Sequence, residues 1–296
     1  MKYIINLMPE LPEVETIARG IKPYLENQVI SNIKILSPKL RYTLPTQLKK
    51  DTLNTKILLV KRKAKYIQIF LDNQNLVIIH LGMTGRLLIQ VQDTKDKGIP
   101  LDQIFQNQVK TLSKHDHLIF QLKNGTSLIF NDVRKFGMID LISESQIDNY
   151  KFFKKLGLEP LEKEFSLKAF KEIISKRNKS IKSVIMDANL IVGIGNIYAN
   201  EALFNSGIHP ERISSNLNNQ EIKSLRLEII KILKAAIKAG GSTLKDFANE
   251  KGQSGYFQFS FKVYGRSGEP CVVCKTHIER IKQNGRSSFL CPQCQS

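Results

Sequence analysis

The chain has 296 residues, 42% of them hydrophobic, which is enough for one large or two ordinary domains with a real core. This composition excludes a disordered tail. The 45 Lys and Arg residues exceed the 27 Asp and Glu residues and give a formal net charge of +18, which predicts an anionic partner, nucleic acid first and acidic lipid second.

No segment of the sequence is typical of a membrane span or a secretory signal. A span needs roughly 20 consecutive apolar residues, and no run approaches that length. The apolar stretch at residues 3–8 is shorter than the roughly 7 to 15 residues of a signal-peptide core, and acidic residues follow it. We therefore expect a cytoplasmic protein with no membrane partner.

The first half of the chain predicts one helix followed by β structure. Apolar residues recur at helical spacing over residues 13–26, and Pro12 is tolerated in a first turn. From residue 29 to residue 141, short runs rich in β-branched residues alternate with turns and predict a mainly antiparallel sandwich or barrel. These runs cover residues 57–60, 66–71, 76–81, 118–122 and 127–130. Residues 92–114 are polar and weakly periodic, which predicts a long surface loop.

The second half predicts mostly helical structure. Helical periodicity returns at residues 165–174 and 219–239, and Gly157 with Pro160 marks a linker between the halves. After Gly240 we expect turns, two aromatic-rich strands at residues 256–261 and a module that holds all four cysteines.

The cysteines form the strongest local motif. Two Cys-x2-Cys pairs are separated by sixteen residues, the spacing of a zinc ribbon, in which each pair offers two thiolates to one tetrahedral Zn²⁺. A redox pair or two disulfides are the alternatives, which a cytoplasmic setting disfavours. Four thiolates leave no open coordination position, so the zinc is expected to be structural. The predicted ligands are Cys271, Cys274, Cys291 and Cys294.

The most unusual local sequence is MPELPEVE at residues 8–15. Alone it is typical of an acidic, proline-started helix entrance. It is followed in order by KRKAKY at 61–66, HLGMTG at 80–85, GIGNIYA at 193–199 and the cysteine module. This set resembles the bacterial formamidopyrimidine-DNA glycosylase family, and the resemblance runs from residue 8 to residue 295.

The resemblance implies an α+β fold with three parts. These are an N-terminal antiparallel β-sandwich with an N-terminal helix (residues 9–150), a helix-two-turns-helix domain (160–256) and a zinc ribbon (257–296). It also implies a monomer that grips double-stranded DNA, removes oxidised purines such as 8-oxoguanine and cleaves the strand by β,δ-elimination. The only metal would be one structural zinc, with no redox or nucleotide cofactor.

The resemblance also implies the catalytic residues. Pro9, freed at the N-terminus, would attack the sugar C1′, since a secondary amine is a good nucleophile and still forms an iminium. Glu10 would be the general acid/base at the sugar oxygen. Lys65 would transfer protons in β-elimination, although a solvated strand lysine is the plain alternative, and its neighbours at 61–63 are expected to contact phosphates. Arg286, on the zinc hairpin, would reach the sugar-phosphate beside the lesion.

Further residues match DNA-binding positions of the family. Base extrusion leaves a gap in the duplex, which Met83, Arg134 and Phe136 would fill, although Met83 and Phe136 also suit ordinary core packing. Backbone contacts would come from His115, Arg177, Lys182 and Asn196. The glycines of the 193–199 motif would let the backbone approach a phosphate, and residues 242–256 would close over the extruded base. His115 and His117 share a face of a putative strand, but no third ligand for a metal is evident.

One departure from the family concerns the first residues. Residues 1–7 precede Met8, and if they are retained, the nitrogen of Pro9 is an amide without an available lone pair. We predict that Met8 is the functional start or that the extension is trimmed, so that residues 1–8 are absent from the active enzyme.

Two other functions remain open at this stage. Endonuclease VIII, of the same superfamily, acts on oxidised pyrimidines, but the sequence at 11–15 after Pro9 and Glu10 favours the purine enzyme. A catalytically inactive DNA-binding protein would still bind DNA and contain the zinc ribbon. Retention of the N-terminal extension would favour this alternative.

Overall fold

The structure, a computed structural model, describes residues 9–91, 112–241 and 260–296. The N-terminal extension, nearly all of the predicted loop at 92–114 and the loop at 242–256 lie outside these residues. Of the strands predicted at 256–261, only Ser260 and Phe261 are described, and neither is in a strand. The chain divides into two compact units: the first contains Glu13–Tyr150, and the second contains Glu10–Pro12, Lys151–Gly241 and the described C-terminal residues.

Helix α1 (Leu11–Leu25) begins two residues earlier than predicted. Its apolar side chains recur at helical spacing, and those of Val14, Ile17, Ile21 and Leu25 belong to the core of the first unit. The periodic pattern therefore identified the buried face of this helix.

Eight strands of the first unit form two antiparallel four-stranded sheets, in the orders β1-β6-β7-β5 and β2-β3-β4-β8. The strands are β1 (Ile30–Ile35), β2 (Ile57–Lys63), β3 (Tyr66–Leu71), β4 (Asn75–His80), β5 (Gly85–Gln90), β6 (Asp116–Leu122), β7 (Ser127–Asp132) and β8 (Met138–Ser143). A short helix, α2 (Leu48–Thr52), lies between β1 and β2. Both sheets contribute side chains to one hydrophobic core, so the predicted β-sandwich is confirmed.

Strand β5 illustrates why these residues form a sandwich. Gly85, Leu87 and Ile89 are buried, and the residues between them are half-buried, as expected when one face of a strand packs on a core. In β4, by contrast, Leu76, Val77, Ile78 and Ile79 are consecutively buried, which fits its position between β3 and β8.

The second unit contains four helices in its described residues: α3 (Leu167–Ser175), α4 (Ile181–Ile185), α5 (Asn196–Asn205) and α6 (Asn219–Lys238). Both helices predicted from periodicity, now α3 and α6, are confirmed to within two residues. Asn218 and Glu221 form a capping box that fixes the start of α6. Residues 197–204 of α5 are all buried, which explains why α5 has no amphipathic pattern. No helix among the described residues is long and apolar enough to cross a membrane.

The stretch predicted as a linker is paired within the second unit. The backbone N–H of Gly157 donates to the carbonyl of Ala188 at 2.9 Å, and Leu158 forms a parallel bridge with Ile191. Among the described residues, the first unit ends at Tyr150, before this stretch.

The C-terminal module contains an antiparallel hairpin of β9 (Glu279–Gln283) and β10 (Arg286–Leu290). Asn284 and Gly285 join the strands with φ of 49° and 74°, the positive values that a two-residue hairpin turn requires. The backbone N–H of Phe289 donates to the side chain of Asn200 in α5 at 2.8 Å. The hairpin is therefore tied to the helical part of its own unit.

Candidate active site

Glu10 lies against the N-terminal turn of α5. Its side chain is 4% exposed, and its two oxygens accept the backbone N–H groups of Gly195 at 2.7 Å, Ile197 at 2.9 Å and Tyr198 at 3.4 Å. These N–H groups have no acceptor within the helix, and a carboxylate satisfies them and complements the helix dipole. The contacts fix the orientation of the Glu10 carboxylate.

The glycines before α5 have a different role from the predicted one. We expected them to admit a phosphate, but a Cβ on Gly195 would lie 2.3 Å from the Glu10 carboxyl carbon. A Cβ on Gly193, whose φ is +82°, would lie 2.5 Å from the side chain of Leu11. Both glycines therefore make room for the segment that carries Glu10. Pro9, the residue before Glu10, is buried.

The resemblance implies that Lys182 contacts the DNA backbone, but in the structure its amine is bound within the protein. Lys182 is 3% exposed, and its Nζ donates to the Ser287 carbonyl at 3.0 Å and to Ser288 Oγ at 2.7 Å. Burial is the main cause that lowers the pKa of Lys182 to about 7; Arg286 lowers it further, and Glu10 acts in the opposite direction. Lys182 and the exposed Arg286 line the same cavity.

Because of Lys182, we expect the free energy of unfolding to rise between pH 7 and pH 9.5. The folded protein releases this proton above about pH 7, whereas the unfolded chain retains it to about pH 10.5, so the unfolded state binds more protons in this window. The rise from this group should be on the order of 3 kcal/mol. In urea unfolding, the Lys182→Met variant should lack this rise in the free energy of unfolding. Lys179→Met replaces an exposed lysine and should retain the rise. Equal pH slopes in the two variants would contradict the assignment.

Asn196 also departs from its predicted phosphate contact. Its side-chain amide donates to the Ser287 carbonyl at 3.0 Å, the same oxygen that Lys182 contacts. Burial raises the pKa of the nearby Tyr264, while a hydrogen bond from Asn196 acts in the opposite direction. The side chain of Asn196 is thus occupied in holding the zinc hairpin. Arg177, another predicted contact, is half-buried and lines an open cavity beside Lys179 and Ser180.

The four cysteines are arranged to hold one metal ion. Their sulfur atoms all lie within 4.8 Å of one another, with Cys271 Sγ 3.9 Å from Cys294 Sγ and Cys274 Sγ 3.4 Å from Cys291 Sγ. Zn–S bonds of about 2.3 Å at tetrahedral angles separate sulfurs by roughly 3.8 Å, so the donor set fits Zn²⁺. The predicted site of one structural zinc is confirmed.

Replacement of one zinc ligand should abolish metal binding. We expect Cys274→Ala to lose its zinc on dialysis and residues 268–296 to become sensitive to limited proteolysis, because about 10 kcal/mol or more of binding free energy stabilises such sites. Val273→Ala, a 68% exposed neighbour, is the matched control and should retain one zinc per chain. Retention of stoichiometric zinc by Cys274→Ala would refute the four-cysteine site.

In the first unit, Lys65 lies in the turn between β2 and β3, next to Ala64, whose φ is 51°. Burial, and then the charges of Lys65 and Arg41, lower the pKa of His80 to about 4, so this imidazole is neutral near pH 7. His80 Nδ1 accepts the backbone N–H of Gly82 at 3.0 Å. The positive charge of Lys65 therefore acts on a neutral side chain, that of His80.

Arg62 does not take the predicted place of a phosphate contact. Its side chain is 6% exposed, and its Nε donates to Glu15 Oε2 at 2.7 Å. Burial acts to raise the pKa of Glu15, but Arg62 and Arg19 outweigh it, and the pKa is lowered. Arg62 therefore pairs internally with α1, whereas Lys61 remains exposed.

The structure brings Met83, Arg134 and Phe136 together on two adjacent turns of the first unit. Arg134 is exposed, its guanidinium lies 4.6 Å from the centre of the Phe136 ring, and that side chain is 41% exposed. Phe136 is thus not a core residue, and Met83 is only half-buried.

The two histidines do not share a strand face. Strand β6 begins at Asp116, so His115 precedes it, half-buried. His117 is 2% exposed, and its Nε2 lies 2.8 Å from the carbonyl oxygen of Asp132. Among the described residues, the only possible metal cluster is the four cysteines.

Sequence reasoning missed two buried carboxylates, one in each unit. Asp132 is fully buried beneath the turn that carries Arg134 and Phe136. Glu201 in α5 is 2% exposed and accepts the backbone N–H groups of Lys262, Val263 and Tyr264. Both are acidic residues in or beside quoted motifs, but local sequence carries no signal that a carboxylate is buried.

Comparison with known families gives three matches along the chain. The Formamidopyrimidine-DNA glycosylase N-terminal domain matches residues 8–139, and the Formamidopyrimidine-DNA glycosylase H2TH domain matches residues 156–248. The zinc finger found in FPG and IleRS matches residues 268–296. The three matches follow the order that the motifs predict.

Whole-chain comparisons agree with these matches. The formamidopyrimidine-DNA glycosylase of Ruegeria sp. is 41% identical over 97% of this chain and 100% of its own length. That of Rickettsia conorii is 43% identical over 97% of this chain and 99% of its own length. A structure of Lactococcus lactis Fpg in complex with DNA containing an abasic site has a TM-score of 0.85 and 35% identity, covering 97% of this chain and 99% of that one.

Proposed function

The chain belongs to the formamidopyrimidine-DNA glycosylase family, DNA-repair enzymes with glycosylase and AP-lyase activity, and on that premise we propose that it removes oxidised purines from double-stranded DNA. The proposed substrates are 8-oxoguanine and the formamidopyrimidines for which the relatives are named. The proposed enzyme is a monomer that acts on DNA in the bacterial cytoplasm. Residues 9–150, 160–256 and 257–296 are its proposed domains.

One observation carries the proposal: the carboxylate of Glu10 is held by three backbone N–H groups and directly follows Pro9 in the chain. A carboxylate in a fixed orientation suits proton transfer, which requires hydrogen-bond reach of the reacting atom. Pro9 supplies the adjacent nucleophile once its nitrogen is a free amine.

In the proposed reaction, the lone pair of Pro9 forms a bond to C1′ while the C1′–N bond to the damaged base breaks. The base leaves with that electron pair and takes up the proton that the Pro9 nitrogen loses. Glu10 protonates the sugar ring oxygen as the C1′–O4′ bond opens, which leaves an iminium between Pro9 and the sugar. Loss of a C2′ proton then expels the 3′ phosphate, and a second elimination expels the 5′ phosphate. Lys65 is proposed to transfer protons in these steps.

The remaining cations and gap-filling residues are proposed to hold the DNA. Met83, Arg134 and Phe136 would occupy the space that the extruded nucleotide leaves, and Phe136 has the exposure that this requires. Arg286, His115 and Arg177 would contact the sugar-phosphate backbone. Lys182 and Asn196 would not contact DNA themselves but would position Arg286. Both donate hydrogen bonds to the strand that begins with Arg286.

Borohydride trapping on matched duplexes tests this function. With 8-oxoguanine opposite cytosine, we expect the active enzyme to form a covalent adduct, because borohydride reduces the iminium to a stable amine. An adduct only with an oxidised pyrimidine would favour the pyrimidine-specific relative. Tight binding without an adduct on either lesion would favour an inactive DNA-binding protein.

A further inference from the structure

The two turns that carry the gap-filling residues are joined by a buried carboxylate. The first turn (residues 81–85) holds Met83, and the second (residues 132–137) holds Arg134 and Phe136. Asp132, at the end of β7, is 0% exposed. Its Oδ2 accepts the backbone N–H of Gly137 at 2.7 Å, and its Oδ1 accepts that of Arg134 at 3.2 Å.

Thr84 links the first turn to this carboxylate. Its hydroxyl donates to Asp132 Oδ1 and accepts the backbone N–H of Arg134 at 3.1 Å. The Thr84 hydroxyl, in the Met83 turn, therefore contacts both the Asp132 carboxylate and the backbone N–H of Arg134 in the second turn. Hydrogen bonds to an ionised group are the stronger kind, and their loss inside a protein is costly.

The backbones of the two turns are also in direct contact. Gly82 has φ of +62°, and a Cβ there would lie 2.4 Å from the carbonyl carbon of Phe136 and 2.7 Å from the nitrogen of Gly137. Since real Cβ atoms essentially never approach backbone so closely, only glycine permits this packing. A displacement of one turn must therefore displace the other.

We propose that Thr84 and Asp132 are positioning residues that join the two turns into one rigid element, so that Met83, Arg134 and Phe136 enter the DNA gap together. This inference rests on the proposed function, because gap filling presupposes an extruded nucleotide. Neither side chain needs to contact DNA: Asp132 is fully buried, and Thr84 acts through its hydroxyl. The three gap-filling residues would otherwise have to be ordered separately, at an entropic cost for each.

A double-mutant cycle measures this coupling. The readout is the Kd for a duplex with a non-cleavable abasic-site analogue, measured for Met83→Ala, Arg134→Ala and the double variant. In the wild-type background we expect the two losses to deviate from additivity by about fivefold or more, because the turns are coupled. In a Thr84→Val background this deviation should be smaller, because only the backbone packing at Gly82 still joins the turns. Thr84→Val alone should weaken binding by about tenfold.

Two further variants separate positioning from general destabilisation. Thr84→Ser keeps the hydroxyl and should restore wild-type affinity and coupling. Thr52→Val removes a different threonine hydroxyl of the same unit, a buried one that donates to the Leu48 carbonyl at 2.6 Å. This variant should leave affinity and coupling unchanged.

The outcomes separate this inference from the proposed function. Unchanged coupling in Thr84→Val, or equal effects of Thr84→Val and Thr52→Val, would overturn the positioning role. Excision of 8-oxoguanine by the chain that starts at Pro9 is assayed in parallel. If excision is absent while coupling behaves as expected, the proposed function fails and the positioning role stands.

Discussion

A chain that begins at Pro9 is expected to excise 8-oxoguanine and to be trapped by borohydride, while the full chain of 296 residues is expected to be inactive. Residues 1–8 convert the nitrogen of Pro9 into an amide, whose lone pair is delocalised into the carbonyl. Removal of a nucleophile costs several orders of magnitude in rate, so we expect a loss of roughly a thousandfold or more.

A control distinguishes the free amine from the length of the chain. A variant confirmed by intact mass to retain only Met8 before Pro9 has nearly the length of the active chain but no free proline amine. It should be as inactive as the full chain, and Pro9→Gly in the shortened chain should lose the adduct.

Intact mass measured on natively expressed protein completes this test. We expect the mass of a chain that starts at Pro9. Fully active enzyme that carries residues 1–7 would refute the proline mechanism, whatever the behaviour of the recombinant variants.

Glu10→Gln in the chain that starts at Pro9 should reduce excision of 8-oxoguanine by about a hundredfold to ten-thousandfold. This is the usual contribution of a positioned general acid or base, and an amide cannot supply the proton. Single-turnover excision kinetics is the measurement, because it isolates the chemical step from product release.

Glu201 provides a matched control for the structural cost of this substitution. Like Glu10, it is a buried carboxylate that accepts three backbone N–H groups, at 2.9, 3.0 and 2.7 Å. Either substitution replaces one acceptor oxygen with an NH2 group and should lower the free energy of unfolding by about 1–3 kcal/mol. Glu10→Gln should slow excision at least about tenfold more than Glu201→Gln does. Equal loss of excision in both variants would show that Glu10 has a structural role alone.

Local patterns were sufficient for much of the fold. The helical spacing from Val14 to Leu25 predicted the buried face of α1, and short runs rich in β-branched residues predicted strands such as β3. The spacing of the cysteines predicted the zinc site, because two tight turns bring each pair together wherever the module lies. Each of these features depends on residues that are close together along the chain, so local sequence patterns can predict it.

The environment of the site residues depended on contacts between distant parts of the chain. Glu10 and Gly195 are 185 residues apart, and the sequence motif alone suggested a phosphate as the neighbour of that glycine. The resemblance implies that Lys182 contacts the DNA backbone, but its amine contacts Ser288, 106 residues later. Burial of a polar group depends on which elements pack over it, and no local pattern reports that packing.

The motifs thus identified the chemistry that this protein offers: a proline beside a glutamate, a set of cations and a zinc ribbon. Tertiary packing places residues of the same type in different environments. Arg134 is exposed, whereas Arg62 is held internally by Glu15. Asp132 is buried, and hydrogen bonds join it to the turn of Thr84, 48 residues earlier. The physical reason is that desolvation and hydrogen bonding act between groups that the fold brings together, whereas sequence motifs record only neighbours along the chain.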